Sequence, residues 1–252
     1  MGKRSLAGPG VWGLVGAAIL ALAPIGVAAQ SPNDFLLGMP RGSVSFRGGY
    51  TLPSEGSEVF AFTRRHLTIN DGDFASFMVG ADLAYRLNER LDLNFSLEHS
   101  QRSRQSESRD FIGTDDLPIF QSTRLSRTPF TVGLRAYLKD RGRSLSQFVW
   151  IPNQWTPYVG VGLGTMRYEF EQSGEFVDFQ TFDIFRDVLV SGGSSFTMNL
   201  LAGADVPVGP RFGVVGELKY SWAKAAMDPD FVGFDEIDLS GTQAVIGLLV
   251  RF

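Results

Sequence analysis

The two histidines, His66 and His99, are the residues best suited to acid–base chemistry in this chain of 252 residues. His99 stands between Glu98 and Ser100, so the three residue types of a hydrolytic triad are adjacent. The surrounding residues alternate between polar and apolar, which predicts a β-strand whose neighbouring side chains point to opposite faces. The three side chains therefore cannot meet on one face, and the sequence predicts no catalytic residue and no enzyme.

Sequence motifs for a metal, a cofactor or a nucleic acid are also missing. The acidic segment 228–238 lacks the spacing of an EF-hand, and a net charge of −4 gives no reason to expect nucleic-acid binding. The GVGLG segment 160–164 is followed by Thr165 where a dinucleotide fingerprint has its third glycine. We interpret this segment as a strand whose small residues leave room for Arg135 and Tyr137, and we expect no cofactor and no metal site.

The elements that must position any functional side chain are β-strands, because period-two alternation recurs along the chain. Segments 76–87 and 91–99 alternate clearly, and three polar residues join them into a hairpin. The same pattern gives eight strands, with ten as the alternative if 175–185 forms a further hairpin. The predicted strands span residues 42–53, 76–87, 91–99, 127–138, 156–170, 194–206, 211–222 and 240–252.

The connections between these strands alternate between short turns, at 88–90 and 207–210, and long loops. Short turns at one end and long loops at the other are typical of a transmembrane β-barrel. Connection 139–155 is the exception, because it should be a short turn and is long. We expect Trp150 and Trp155 in this connection to lie at the membrane interface.

The polar faces of the predicted strands carry five basic and five acidic residues. In a narrow barrel this face points into the lumen, where buried charges need partners of opposite sign. We therefore predict a lumen largely filled by ion-paired side chains; a soluble barrel with this face in water is the alternative. The ten residues are Arg47, Asp82, Arg86, Asp92, Glu98, Arg135, Asp205, Glu217, Lys219 and Arg251.

Two of the long loops, around 175–185 and 226–239, combine phenylalanine with acidic residues. We expect their aromatic side chains to pack the two loops together, with a ligand or partner surface as the alternative. The aromatic residues of this surface are Phe176, Phe179, Phe182, Phe231 and Phe234.

The start of the chain predicts a secretory signal peptide. Residues 1–29 combine a basic start, an apolar run and small residues before Gln30, where cleavage is expected. No later apolar run is long enough for a membrane-spanning helix. The predicted organisation is a signal peptide at 1–29, a periplasmic segment at 30–41 and a barrel domain at 42–252.

The signal peptide, the alternating strands and the terminal strand VIGLLVRF make the chain resemble the small bacterial OmpA/OmpW-like outer-membrane β-barrels. Gly247, Val250 and Phe252 match the C-terminal signal by which the outer-membrane assembly machinery recognises such barrels. The resemblance implies an all-β, eight-stranded antiparallel transmembrane barrel in the outer membrane of a Gram-negative envelope, with both termini in the periplasm. It also implies a monomer in contact with outer-membrane lipid and lipopolysaccharide.

Function is less specified than fold, because this scaffold hosts many unrelated roles. We expect a porin-like barrel with a structural or small-solute role and no enzymatic activity. The alternatives are OmpW-like passage of small hydrophobic molecules through the Phe-rich loops, loop-mediated adhesion or recognition, and a lipid-modifying outer-membrane enzyme that uses His99.

Overall fold

The computed structural model describes residues 36–113, 116–146, 148–178 and 180–252. The predicted signal peptide, residues 30–35 of the periplasmic segment and Phe179 lie outside the described residues. In the described part of the chain, no helix is both long and apolar enough to cross a membrane. The strands are, in chain order, β1 (Leu36–Leu37), β2 (Gly42–Pro53), β3 (Ser76–Arg86), β4 (Leu91–Ile112), β5 (Pro118–Tyr137), β6 (Gly142–Ser146), β7 (Val149–Pro152), β8 (Thr156–Val177), β9 (Ile184–Pro207), β10 (Phe212–Ala225), β11 (Ile237–Asp238) and β12 (Gly241–Arg251).

Eight of the described strands close into a ring, in which each is hydrogen-bonded to two antiparallel neighbours. β12 pairs with β2, which joins the last strand of the ring to the first, and β10 pairs with both β9 and β12. The predicted eight-stranded antiparallel barrel is confirmed, and 175–185 extends β8 and β9 instead of adding a hairpin. The ring consists of β2, β3, β4, β5, β8, β9, β10 and β12.

Four neighbouring strands extend well beyond their predicted ends. β4, β5, β8 and β9 contain 22, 20, 22 and 24 residues, whereas β2, β3 and β12 contain 12, 11 and 11. The polar segment 100–110, expected in a loop, belongs to β4, which pairs with β5 up to Glu107 and, after a register shift, again at Ile112. The loop prediction is wrong there because the main-chain ladder continues after the apolar pattern has ended.

The polar and apolar faces of the long strands change places along the strand. On β8 the outward residues Val161 and Leu163 are exposed and apolar, whereas Arg167 and Glu169 further along the same face are charged. The inward residues beside that charged stretch are buried, and they are Met166, Tyr168 and Phe170. An apolar outer surface is stable in lipid and a charged one in water, so the exchange marks the level at which the barrel enters water.

The short turns lie at one end of the barrel, which we call the turn end, and connection 139–155 covers it. β6 and β7 pair with each other, and β7 also pairs with β1, so the connection forms part of a three-stranded sheet. Trp150 is 2 % exposed and lines a polar cavity with Arg86 and Arg141. The predicted interfacial position of Trp150 is therefore wrong, because its ring covers the mouth of the barrel; Trp155 is exposed and lies under Lys139.

The opposite end, which we call the loop end, contains a helix that the sequence pattern does not predict. Helix α1 (Glu58–His66) has nine residues and buries Val59, Phe60 and Thr63. Val59 and Phe60 join a cluster, which we call the outer core, with inward residues of β5, β8 and β10 and with segment 231–239. The outer core consists of Val59, Phe60, Leu67, Ile69, Phe74, Leu125, Met166, Tyr168, Phe170, Ala223, Ala225, Phe231, Ile237 and Leu239.

Candidate functional site

Four charged side chains from four strands meet inside the lumen, and we call them the central charge cluster: Arg47, Asp82, Arg135 and Glu217. Arg47 lies 3.0 Å from Asp82 and 3.1 Å from Glu217. Arg135 lies 3.2 Å from Asp82 and 3.5 Å from Glu217. Two cations and two carboxylates thus alternate around a closed square. Each residue is at most 4 % exposed, so every buried charge has a partner of opposite sign on either side.

Neutral side chains add hydrogen bonds to the two carboxylates of this cluster. The hydroxyl of Tyr158 donates to Oε2 of Glu217 at 2.8 Å, and Nδ2 of Asn94 donates to Oδ2 of Asp82 at 3.4 Å. The guanidinium of Arg135 also lies 4.5 Å from the centre of the Tyr158 ring. Sequence reasoning missed Tyr158 and Asn94 because it selected charges; their inward positions in the alternating pattern are the signal that could have found them.

Backbone positions make room for the cluster. Gly247 faces Arg47 across the β12–β2 ladder. A Cβ at Gly247 would lie 2.6 Å from the carbonyl oxygen of Phe46 and 3.0 Å from Cγ of Arg47. This glycine, predicted as part of an assembly signal, therefore also has a packing reason in the folded barrel.

The other predicted lumen residues lie on both sides of the central charge cluster. Towards the loop end, Lys219 forms a buried ion pair with Glu98. At the turn end, four of them line a polar cavity of about 20 Å³. These four residues are Arg86, Asp92, Asp205 and Arg251. All ten predicted residues thus lie on the inward faces of the strands.

Connection 139–155 adds a cation that the sequence reasoning did not place in the lumen. Nη1 of Arg141 donates to both carboxylate oxygens of Asp92, at 2.6 and 2.7 Å. The hydroxyl of Tyr137 donates to Asp205 at 3.1 Å, and the Arg141 guanidinium lies 4.5 Å from the centre of the Tyr137 ring. Arg141 lies outside every strand, so no alternation could assign it to a face.

The GVGLG segment lies in β8, but its glycines leave room for residues other than those expected. A Cβ at Gly160 would lie 2.9 Å from Leu201, and one at Gly162 would lie 2.9 Å from Oδ1 of Asn199. The expectation that they accommodate Arg135 and Tyr137 is wrong. Leu201 and Asn199, their ladder partners on β9, fill that space.

The phenylalanines of segment 226–239 pack onto the helix and the outer core. The ring of Phe231 is buried and lies 5.3 Å from that of Phe170 on β8. The ring of Phe234 lies 5.3 Å from that of Phe62 on α1. Both side chains thus hold this segment against α1 and β8.

The phenylalanines around 175–185 lie at the tip of the long strands. Phe176 on β8 stacks on Phe185 of β9, with the ring centres 6.0 Å apart. Phe182 is 65 % exposed, and its ring lies 6.2 Å from that of Phe111. Phe179 lies outside the described residues, so the predicted surface is only partly placed.

A cleft of about 160 Å³ opens between α1, the ends of β4, β8 and β9, and segment 230–234. Two of its polar residues, Thr63 and Gln172, are buried, and Nε2 of Gln172 donates to Oγ1 of Thr63 at 3.3 Å. The apolar lining consists of Val59, Phe62, Leu67, Phe111, Phe176, Val177, Leu189, Phe231 and Phe234. The remaining polar lining consists of His66, Ser108, Gln121 and Asp230.

The two histidines lie in different surroundings. His99 is on the outward face of β4, where Nδ1 lies 2.9 Å from Oγ1 of Thr128, whereas Glu98 faces the lumen and pairs with Lys219. This is the separation that alternation predicts. His66 lines the cleft, and its Nδ1 lies 3.1 Å from Oδ2 of Asp110.

The acidic residues of segment 228–238 have structural partners. Oδ2 of Asp228 accepts the backbone N–H of Gly192 at 2.8 Å, and Oδ2 of Asp230 accepts that of Val190 at 3.1 Å. They cover the edge of β9 beyond its last pair with β10, where unpaired N–H groups invite other strands. Across the described ranges, no group of three or more His, Asp or Glu residues is placed to hold a metal ion.

The last residue of the chain is bonded to the start of the first barrel strand. The N–H of Phe252 donates to the carbonyl of Gly42 at 3.0 Å, and the N–H groups of Arg41 and Gly42 donate to the carbonyl of Phe252 at 2.6 and 3.1 Å. A Cβ at Gly42 would lie 2.9 Å from Cζ of the Phe252 ring. Glycine at position 42 therefore lets this ring lie against the closing seam.

Comparison with known families matches residues 15–252 to the family described as outer membrane protein beta-barrel domain. No curated protein matches the chain.

Solved structures similar to this chain include three outer-membrane proteins. Neisserial surface protein A is 12 % identical with a TM-score of 0.44, and the match covers 88 % of this chain and 100 % of that one. Ail, the attachment invasion locus protein of Yersinia pestis, is 14 % identical with a TM-score of 0.42, over 84 % and 99 %. A major outer membrane protein from Thermus thermophilus is 9 % identical with a TM-score of 0.44, over 84 % and 99 %. At these scores the likenesses carry no inference about a role.

Proposed function

Because the chain belongs to the family of outer-membrane β-barrel domains, we propose that it is a non-enzymatic barrel with a structural role and a lumen closed to ions. The observation that carries the proposal is the central charge cluster. Arg135 is 0 % exposed and reaches from β5 to carboxylates on β3 and β10. Eight strands leave a lumen that side chains can fill, and a side chain paired across it obstructs it.

Two further closures support the proposal. At the turn end, Trp150 and the Arg141–Asp92 pair lie across the mouth of the barrel. At the loop end, the outer core fills the space between the long strands with buried apolar side chains. An ion would therefore have to displace charged, aromatic and aliphatic side chains in succession.

Current recordings in planar bilayers test the closed lumen. We expect the purified, folded protein to give no stable single-channel currents. A control variant that replaces 142–152 by a short turn removes Trp150 from the turn end but keeps the Arg141–Asp92 pair, the central charge cluster and the outer core, so it should stay silent as well. Large, stable currents from the native protein would overturn the proposal.

Passage of small apolar molecules, the alternative considered from the sequence, has less support. The cleft could admit such a molecule, but a path from it into the lumen would have to cross the outer core and then the central charge cluster. Moving an apolar molecule past buried paired charges is unfavourable. Loop-mediated adhesion stays a prediction from the sequence.

We also propose that the turn end and both termini face the periplasm, because short turns lie on that side in bacterial outer-membrane barrels. The chain has no cysteine, so single cysteines can report the orientation cleanly. Phe182→Cys at the loop end and Val208→Cys at the turn end replace residues that are 65 and 74 % exposed. On intact cells, a membrane-impermeant maleimide should label the first and spare the second; the reverse pattern would overturn the orientation.

We further propose that the outer-membrane assembly machinery recognises the ring of Phe252. Phe252→Ala keeps the main-chain bonds to residues 41 and 42 but removes the ring. Phe212→Ala, at an exposed aromatic residue of the neighbouring strand at the same end, is the matched control. We expect Phe252→Ala to lower the amount of barrel in the outer membrane and Phe212→Ala to leave it unchanged. Equal amounts would contradict the assignment.

A further inference from the structure

The cleft at the loop end has a size and a lining that the closed-lumen role does not use. Its volume of about 160 Å³ is close to that of apolar protein cavities, about 150 Å³, that hold a benzene ring. Aromatic side chains come from several elements, with Phe62 on α1, Phe176 on β8 and Phe234 on the following segment. Apolar walls that stay open to water are unfavourable, and filling them with an apolar molecule is favourable.

The polar groups of the cleft narrow the chemistry of its occupant. Gln172 is buried, and its Nε2 donates to Oγ1 of Thr63 at 3.3 Å and to Oγ1 of Thr123 at 3.5 Å. Both N–H bonds of this carboxamide therefore have acceptors in the protein, and its oxygen is the atom that can accept a hydrogen bond from a ligand hydroxyl. Asp230 lines the same cleft, and Asp110 lies beside His66, so carboxylates disfavour an anion there.

We propose that the cleft binds a neutral, compact and mainly apolar molecule, about the size of one aromatic ring, that carries a single hydroxyl group. The ring lies among the phenylalanines, and the polar group meets the carboxamide of Gln172. This site goes beyond the closed-lumen role, since a barrel that conducts no ions can still bind a ligand at its loop end.

The first experiment uses the full chain in lipid nanodiscs with two fluorinated probes, 4-fluorobenzyl alcohol and 4-fluorotoluene. Fluorine NMR saturation transfer measures binding, and empty nanodiscs measure partition into lipid. We expect both probes to bind the protein above the lipid background, with the alcohol binding more tightly. No binding above the background would overturn the proposal.

A matched pair of variants locates the bound probe. Leu189 lines the cleft, whereas its neighbour Val190 is exposed on the opposite face of β9. Leu189→Trp fills the cleft and should weaken binding by about tenfold, while Val190→Trp should leave it unchanged. Heat-modifiable migration on a gel checks that both variants fold. Equal binding by two folded variants would show that the probe lies elsewhere and overturn the site.

The variant Gln172→Leu keeps the proposal testable even if Leu189→Trp does not fold. Removing the carboxamide should lower the preference for the alcohol over the toluene probe by about fivefold, with little change for the toluene probe. An unchanged preference would overturn the assigned polar contact. Current recordings on the same sample separate the two proposals, because loss of probe binding leaves the barrel silent.

Discussion

The level of the barrel that holds the central charge cluster and the level that holds the outer core differ in which face of the strands is polar. At the cluster the inward face is charged, and at the outer core the inward face is apolar. β5 passes through both: its inward residue Arg135 belongs to the cluster, and its inward residue Leu125 belongs to the outer core. The outward face changes in the other direction, from the exposed Leu134 near the cluster to Arg124 beside the outer core. Alternation thus defines two faces, and the surrounding medium decides which face is apolar.

The two regions also depend on different interactions. The central charge cluster is directional, because each carboxylate lies between two guanidinium groups at 3.0 to 3.5 Å. The outer core is an apolar cluster whose contacts have no required direction. Removing one member therefore leaves an unbalanced buried charge in the first region and a cavity in the second. This difference can be tested region by region.

The largest effect is expected from Arg135→Leu. The substitution leaves Asp82 and Glu217 buried with Arg47 as their common cation, so we expect the free energy of unfolding to fall by about 4 kcal/mol. Equilibrium urea unfolding in lipid vesicles measures it. The matched control is Arg167→Leu, at an exposed outward position of β8, where the change should stay below about 0.5 kcal/mol.

A second variant separates charge balance from packing in the same region. Adding Glu217→Gln to Arg135→Leu removes one uncompensated carboxylate while keeping an acceptor for the hydroxyl of Tyr158. The double variant should recover part of the lost stability. If it is less stable than Arg135→Leu alone, electrostatic balance is not what holds this cluster.

In the outer core, Phe60→Ala should lower stability locally by about 3 kcal/mol, because it leaves a cavity beside Phe74 and Phe170. Hydrogen exchange of the α1 amides should then accelerate by about a hundredfold, while the amides of β3 and β12 keep their protection. Phe62→Ala is the control on the same helix, since Phe62 is 37 % exposed and should cost much less. Equal acceleration in all of these elements would show that the two regions open as one unit.

The fold and most of the charged lumen could be predicted because both follow from a period of two. Arg47, Asp82 and Glu217 were recognisable as inward from their own strands. The assembly of these residues into a square could not be predicted, because it depends on the register between strands that are distant in the chain. Tyr158 is a further case, since alternation places it inward on β8, but its hydrogen bond to Glu217 depends on where β8 lies relative to β10.

The outer core could not be predicted for a different reason. The loop assignment for 100–110 assumed that a strand ends where its outward face stops being apolar, whereas β4 continues into a polar environment. Helix α1 has only nine residues, so its apolar pattern is too short to identify it, although Ser57 at its N-cap and Glu58 in its first turn are weak signals of a helix start. Arg141 was missed, and Trp150 was wrongly placed at the membrane interface, because connections carry no periodicity that assigns a side chain to a face.

The boundary between the two regions can be located with a lysine scan of β9. Leu200 and Ser194 are both outward and exposed, but Leu200 lies at the level of the apolar outer surface. Leu200→Lys should cost about 2 kcal/mol, because it places a charge on the lipid-facing surface. Ser194→Lys should cost less than about 0.5 kcal/mol, since that position meets water. Urea unfolding in vesicles measures both, and equal costs would mean that the boundary is misplaced.

The smallest expected effect is the pH dependence of the Glu55 carboxylate. This carboxylate accepts backbone N–H groups, whereas those of the central charge cluster pair with two arginines each. Glu55, 4 % exposed, accepts the N–H groups of Gly72 at 3.2 Å and Phe74 at 3.3 Å, and lies 3.6 Å from Arg64. Burial raises the pKa of Glu55 above its ordinary value of 4.5, although these three groups oppose the shift.

A raised pKa in the folded state means that the native loop binds this proton more tightly than the unfolded chain does. The contribution of Glu55 to local stability is therefore complete below pH 4.5 and is lost as the pH rises through the raised pKa. We expect the opening free energy of α1, measured by hydrogen exchange, to decrease over that interval. Glu55→Gln cannot titrate, so its opening free energy should stay level. If the opening free energy of the Gln variant decreases by the same amount, the pH dependence belongs to another group. The stability of the outer core would then not depend on the Glu55 carboxylate, whereas that of the central charge cluster depends on each of its carboxylates.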